Sequence, residues 1–195
     1  MTEKVTVEKV VDDKWPEVPF QILLYDGSWF SPLEPDPKLI TIENLSFALA
    51  RIPRWSGHTY AMYSVAQHSV MVASYVIPSL ELPALLHDAH ECLSGFGNIP
   101  VPVKQRFPRI QEIEQGIDLA VCEAFGTSID LMYDDDVKKA DMRALATEFR
   151  DLINTEDMPV LTEKGITPFK ERIRPAKEEH ARTLFERRLV YALPE

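Results

Sequence analysis

The octapeptide Leu85-Leu86-His87-Asp88-Ala89-His90-Glu91-Cys92 sets two imidazoles and two carboxylates directly behind a run of aliphatic residues. Burying an unpaired carboxylate is costly enough that the group either finds a partner or is driven neutral. On a helix Asp88 projects about 100° and Glu91 about 40° from His87, which puts all three on one face, with His90 about 60° to the other side. An imidazole and two carboxylates behind an apolar run suit a divalent cation. The competing account is an exposed, charged helix end that happens to follow Leu85-Leu86.

Two further stretches bear on that choice. Asp136–Leu152 carries an apolar stripe of Val137, Ala140, Ala144 and Leu145. Asp141 and Glu148 fall inside it, about 40° and 20° from Val137 at helical spacing. A carboxylate in a core-facing stripe is either paired or a ligand. For Asp141 the competing pairings are Arg143, Lys138 and Arg51; for Glu148 a structural ion pair and a functional role both stay open. In Ser64–Val76, Ser64 is a natural N-cap for a stripe of Val65, Ser69, Val72 and Val76, with His68 at its edge. Alone, such a histidine reads as a hydrogen-bonded core residue. Beside His87, Asp88 and Asp141 it reads as a fourth ligand.

Helices must carry these groups, and the patterning supplies them in the windows Ile42–Ile52, Ser64–Ile77, Leu80–Ser94, Pro108–Phe125, Asp135–Asn154 and Pro175–Tyr191. Most of the 15 prolines lie between these windows or at their first positions, where proline ends or starts a helix. Within Pro108–Phe125 the residues Ile110, Ile113, Ile117, Ala120, Val121 and Ala124 form a packing stripe closed by Gly126. Ahead of the helices, β-prone residues flank Asp26-Gly27, a dipeptide suited to a tight hairpin turn. The expected fold is all-α with a short N-terminal β-hairpin.

At 195 residues, 45% hydrophobic and 27% charged, the chain suits a single soluble globular domain. The net charge of −10 gives the wrong field for a nucleic-acid polymer. No apolar stretch approaches the ~20 residues that span a bilayer, and the charged N-terminus does not read as a signal peptide. Cys92 and Cys122 read as reduced thiols, and the expected location is cytoplasmic.

His68, then His87-Asp88, then Asp141, each on a separate helix, resemble the H…HD…D metal signature of the HD-domain phosphohydrolases. The blocks Arg51–Ser69, Leu85–Lys104 and Lys138–Leu152 are similar in order to the compact 5′-deoxynucleotidase branch, above all to phage-type dATP triphosphohydrolases. The resemblance runs from about Tyr25 to Leu189. It implies an HD helical bundle over residues 41–195 preceded by an extension over 1–40, and a divalent ion (Co, Mn, Zn or Mg) on His68, His87, Asp88 and Asp141. It also implies attack of water on phosphorus, with Glu91 as the acid-base group. Arg54 and Trp55 match a pair that reaches phosphate and sugar in that family, Arg51 rivals Arg54, and His58, Lys104 and Lys138 are further candidates for substrate contact. The implied substrates are 2′-deoxynucleotides, dATP, dADP and dAMP first, handled by a homo-oligomer. A general 5′-deoxynucleoside monophosphatase, or an alarmone or cyclic-dinucleotide hydrolase on the same site, are the alternatives. Where relatives carry Gly-Asp this chain has Gly97-Asn98, so a contact made there by a carboxylate is altered.

Overall fold

The computed structural model of the chain describes residues 19–153 and 163–194. It is mostly helical, with one two-stranded antiparallel hairpin ahead of the helices. Strands β1 (Ile22–Leu23) and β2 (Trp29–Phe30) pair Ile22 with Phe30 and Leu23 with Trp29. The turn between them is closed by Asp26, whose Oδ1 accepts from the Ser28 backbone N–H at 2.9 Å, and by Gly27 at φ 86°, a conformation that glycine adopts without penalty. Asn44 then ties the turn to the first helix, donating to Asp26 Oδ2 at 3.0 Å and accepting from the Asp26 N–H at 3.1 Å.

The helices are α1 (Ile42–Leu49), α2 (Val65–Ala73), α3 (Glu81–Leu86), α4 (His90–Leu93), α5 (Val101–Lys104), α6 (Pro108–Phe125), α7 (Ile129–Met132), α8 (Asp135–Leu152) and α9 (Glu178–Ala192). Their starts follow from local chemistry. Thr41, Ser64, Ser128 and Asp134 each accept a backbone N–H in the first turn of α1, α2, α7 and α8, satisfying a donor that the helix itself leaves unpaired. Gly126 ends α6 in the left-handed conformation, φ 68°.

Helix α2 is the hub. It packs against α1, α3, α8 and α9, and Val65, Ala66, His68, Ser69, Val70, Val72 and Ala73 are all buried, as expected of a helix with neighbours on most sides. The core around it includes Leu45, Leu49, Leu85, Leu86, Ile117, Val121, Phe185 and Leu189, and the hairpin contributes Leu24 and Phe30. Hairpin and helices therefore share one core. Each fully buried leucine or phenylalanine there contributes about 1.5–3 kcal/mol relative to exposure.

One expected helix is two. Leu80–Ser94 breaks into α3 and α4 across His87–Ala89, where hydrogen bonds tighten to the i−3 carbonyl: Ala89 N–H to Leu86 O at 2.9 Å and Glu91 N–H to Asp88 O at 3.1 Å. In such a turn residues three apart eclipse, so Asp88 and Glu91 come onto the same side.

Candidate metal centre

Four acceptor atoms converge where α2, the α3–α4 turn and α8 meet. His68 Nε2 lies 3.1 Å from Asp141 Oδ1, 3.3 Å from His87 Nε2 and 3.5 Å from Asp88 Oδ2. His87 Nε2 lies 3.4 Å from Asp88 Oδ2 and 3.9 Å from Asp141 Oδ1. The other nitrogen of each ring is already committed: His87 Nδ1 sits 2.8 Å from Ala84 O, and His68 Nδ1 sits 2.5 Å from Glu148 Oε1. Both partners are acceptors, so each Nδ1 carries a proton, and in the neutral ring each Nε2 presents a lone pair to the cluster. Two imidazole lone pairs and two carboxylates facing one another repel unless a cation lies among them. The donor set of two nitrogens and two oxygens fits a first-row divalent ion.

The same crowding is visible in protonation. Burial and the Arg54 charge push the His68 imidazole down, but Glu148 and Asp141 pull it up to about 9. Burial pushes Asp88 up, yet the charges of His87, His68 and Arg54 hold it well below the usual carboxylate range. Burial likewise raises Asp141, and its hydrogen bond and attraction to His68 outweigh that, leaving it lowered. Without a metal, a proton takes the cation's part.

Arg54 and Glu91 border the cluster. Arg54 is buried and donates to Glu148 Oε2 and to Asp88 Oδ2, both at 3.3 Å, so two of its five N–H donors are spent and the remainder are available to a ligand. Glu91 is only 2% exposed; a carboxylate oxygen of it lies within 4.8 Å of ligand atoms of Asp88 and His90. Its Oε1 accepts from Asn98 Nδ2 at 2.6 Å, and its Oε2 is buried with no hydrogen-bond partner. Burial and the neighbouring Asp88 charge push Glu91 up to about 7, against the opposing pull of Arg54, His90 and Asn98. A carboxylate with one oxygen tethered and the other free, poised near neutrality, is equipped to take and return a proton.

The remaining candidates fall in different places. Trp55 is half-buried and donates its indole N–H to Glu148 Oε2 at 2.9 Å. His58 closes the turn after Trp55 through its backbone N–H, with its side chain exposed. Arg51 is paired with Glu178 at 2.8 Å and lies over the Phe47 ring, whereas Arg54 contacts Asp88 of the cluster. Lys138 is exposed and 3.7 Å from Asp135, and Arg143 donates to Thr167 O. None of the three cations weighed as an ion-pair partner for Asp141 takes that role. Lys104 is not free at a pocket mouth: its ammonium is 2.8 Å from Glu114 Oε1 and 3.5 Å from His90 Nε2.

That last contact exposes something the sequence concealed. Helix α6 is not a packing stripe alone, because Glu114 and Asp118 are also buried on it. Asp118 Oδ1 holds His90 Nδ1 at 2.9 Å, and Asp118 Oδ2 accepts from the Tyr133 hydroxyl at 2.6 Å. The spacing of Glu114 and Asp118, one turn apart beside Ile117, was the available signal. Glu148 also resolves: it is a wholly buried carboxylate shared by His68, Arg54 and Trp55. Cys92 and Cys122 are both unpaired thiols. No helix among the described residues is long and apolar enough to cross a membrane.

No family model matches the chain. It is similar to the uncharacterized protein YfdR of Escherichia coli (strain K12), 37% identical over 113 residues that make up 58% of this chain and 61% of that protein. It is also similar to an uncharacterized protein of Rhodobacter capsulatus, 37% identical over 114 residues, 53% of this chain and 57% of the other. The matched stretch thus spans less than two thirds of either relative's length.

Proposed function

We propose that the chain is a divalent-metal-dependent phosphohydrolase of the HD-domain kind, a cytoplasmic enzyme that removes 5′-phosphate groups from 2′-deoxynucleotides, dATP and its lower phosphates first. The observation that carries this reading is the convergence of four lone pairs from His68, His87, Asp88 and Asp141 beside one free carboxylate oxygen and one partly committed guanidinium. His68, His87, Asp88 and Asp141 would hold a divalent ion such as Co, Mn, Zn or Mg, which would supply Lewis acidity toward a phosphate oxygen and lower the pKa of water.

The chain's own residues do the rest. Arg54 directs its uncommitted N–H donors to a phosphate oxygen, held in pose by Glu148 and Asp88. Glu91 Oε2 receives the proton of water as the new oxygen–phosphorus bond forms. The bond from phosphorus to the leaving oxygen breaks with its electron pair on that oxygen, which takes up the proton returned by Glu91. Trp55 stands against the sugar and leaves no room for a 2′-hydroxyl.

Phosphate release measured on dNMPs, dNTPs, NMPs and signalling nucleotides, each with Mg, Mn and Co, tests the reading. Turnover of deoxynucleotides above the others is the expected result, and none with any metal would sink it. Trp55→Ala should raise ribonucleotide relative to deoxynucleotide turnover; an unchanged ratio removes Trp55 from the sugar pocket.

A further inference from the structure

Glu148, wholly buried in α8, accepts hydrogen bonds on both edges of its carboxylate. Oε1 faces His68 Nδ1 at 2.5 Å, and Oε2 takes the Trp55 indole N–H at 2.9 Å and the Arg54 Nε–H at 3.3 Å. One edge therefore serves a ligand of the cation cluster in the middle of α2. The other serves the turn Arg54–Gly57, 90 residues or more away in sequence.

That turn is strained. Trp55 and Ser56 have φ of 57° and 50°, and Gly57 follows at 80°. Successive non-glycine residues in the left-handed region persist only where their surroundings over-determine them. Backbone bonds fix the ends of the turn, Arg54 N–H to Tyr63 O and His58 N–H to Trp55 O, both at 2.9 Å. Within it, the side-chain tethers are the bonds from Arg54 and Trp55 to Glu148 and from Arg54 to Asp88.

We propose that Glu148 is a positioning residue that couples cation binding at His68 to the pose of Arg54 and Trp55, so that the substrate-facing turn is ordered by the cation. This rests on His68, His87, Asp88 and Asp141 forming a metal centre. The chemistry of the two edges makes the coupling sharp. A carboxylate accepts on both; a glutamine of the same shape accepts on one and donates on the other. With its amide N–H toward His68, glutamine forces the imidazole proton onto Nε2, pointing into the cluster. With its amide N–H toward the turn, it confronts the Trp55 and Arg54 donors. Either way one side is lost.

Zn2+ binding by titration calorimetry, and acrylamide quenching of Trp55 in a chain with Trp15 and Trp29 replaced by phenylalanine, test this without substrate. In that parent, saturating Zn2+ should lower the quenching of Trp55. Glu148→Gln should alter one of the two readouts: either Zn2+ binding weakens about 10–100-fold, the usual effect of removing an outer partner of a ligand, or Zn2+ still binds with parental affinity and no longer lowers the quenching of Trp55. Parental affinity together with a parental quenching response would overturn the proposal. If Glu148→Gln does not fold, the parent decides alone: quenching indifferent to saturating Zn2+ overturns it. Because neither measurement involves turnover, a chain that hydrolyses no nucleotide yet shows the coupling would discard the phosphohydrolase reading and keep this one.

Discussion

Glu91 has one oxygen tied to Asn98 and one with nothing to bond, and this asymmetry gives the residue its direction. Glu91→Gln keeps the shape and the Asn98 neighbour but cannot take a proton; turnover should fall about 10²–10⁴-fold, the range for a positioned acid-base group, with metal content unchanged by elemental analysis. Near parental turnover would move the base elsewhere. The Asn98 amide, at the position where an acid was expected from the resemblance, contacts the Glu91 carboxylate at 2.6 Å. The four candidate ligands were legible because carboxylates and histidines inside apolar stripes violate the pattern around them. Arg51, Lys104 and Lys138 were not, since a long cation's position in sequence says little about which acid it reaches, and here Glu178, Glu114 and Asp135 reach them first. Metal uptake should itself be pH-dependent. With His68 raised to about 9, a cation must displace a proton from it below that pH, so apparent affinity should rise with pH toward that value and calorimetry should register proton release. Affinity flat from pH 6 to 9 would contradict the cluster's assignment.

At the scale of elements, caps and periodicity carried most of the information. Helix α6 runs over Pro108–Phe125 and ends at Gly126 as its stripe requires, and Ser64 caps α2 by accepting the Gln67 N–H at 3.3 Å. Ser64→Ala should therefore cost about 1 kcal/mol in denaturant unfolding, and because this cap lies four residues before His68 the same change should loosen the cation cluster. An unaltered unfolding midpoint would show that tertiary packing alone fixes the start of α2. The break at His87–Ala89 was invisible, because nothing in Leu-His-Asp-Ala-His forbids a continuous helix. What separates α3 from α4 is tertiary: His87 is drawn to the cluster and His90 to Asp118 on α6. The short helices α5 and α7, four residues each, are below the length at which a 3.6-residue period can be read.

Across the whole molecule, residues 166–177 ahead of α9 have no helix or strand to satisfy their backbone, and side chains from distant helices do so instead. Gln67 on α2 donates to Arg174 O at 2.8 Å and accepts from the Ala176 N–H at 2.9 Å, Thr147 accepts from Phe169 N–H at 2.8 Å, and Arg150 donates to Phe169 O at 2.6 Å. No local signal marks such a strap, since every partner lies at least 19 residues away. Asp151 is its anchor: with a side chain only 3% exposed, it accepts from Arg150 at 2.7 Å, from Arg172 at 2.5 Å and from the Ile173 N–H at 2.9 Å. Burial raises its carboxyl, but these hydrogen bonds outweigh burial and hold it at about 2, below the ordinary 3.8. A group that releases its proton more readily folded than unfolded stabilises the fold above its unfolded value, and that stabilisation is lost as pH falls through the folded one. The chain should lose about 1–2 kcal/mol of stability between pH 4 and pH 2 on this account, less than the full shift implies because Arg172 is solvent-screened. Asp151→Asn should remove that increment at neutral pH and flatten the acid limb measured by thermal unfolding; a variant as acid-sensitive as the parent would place the acid-labile contact elsewhere in the fold.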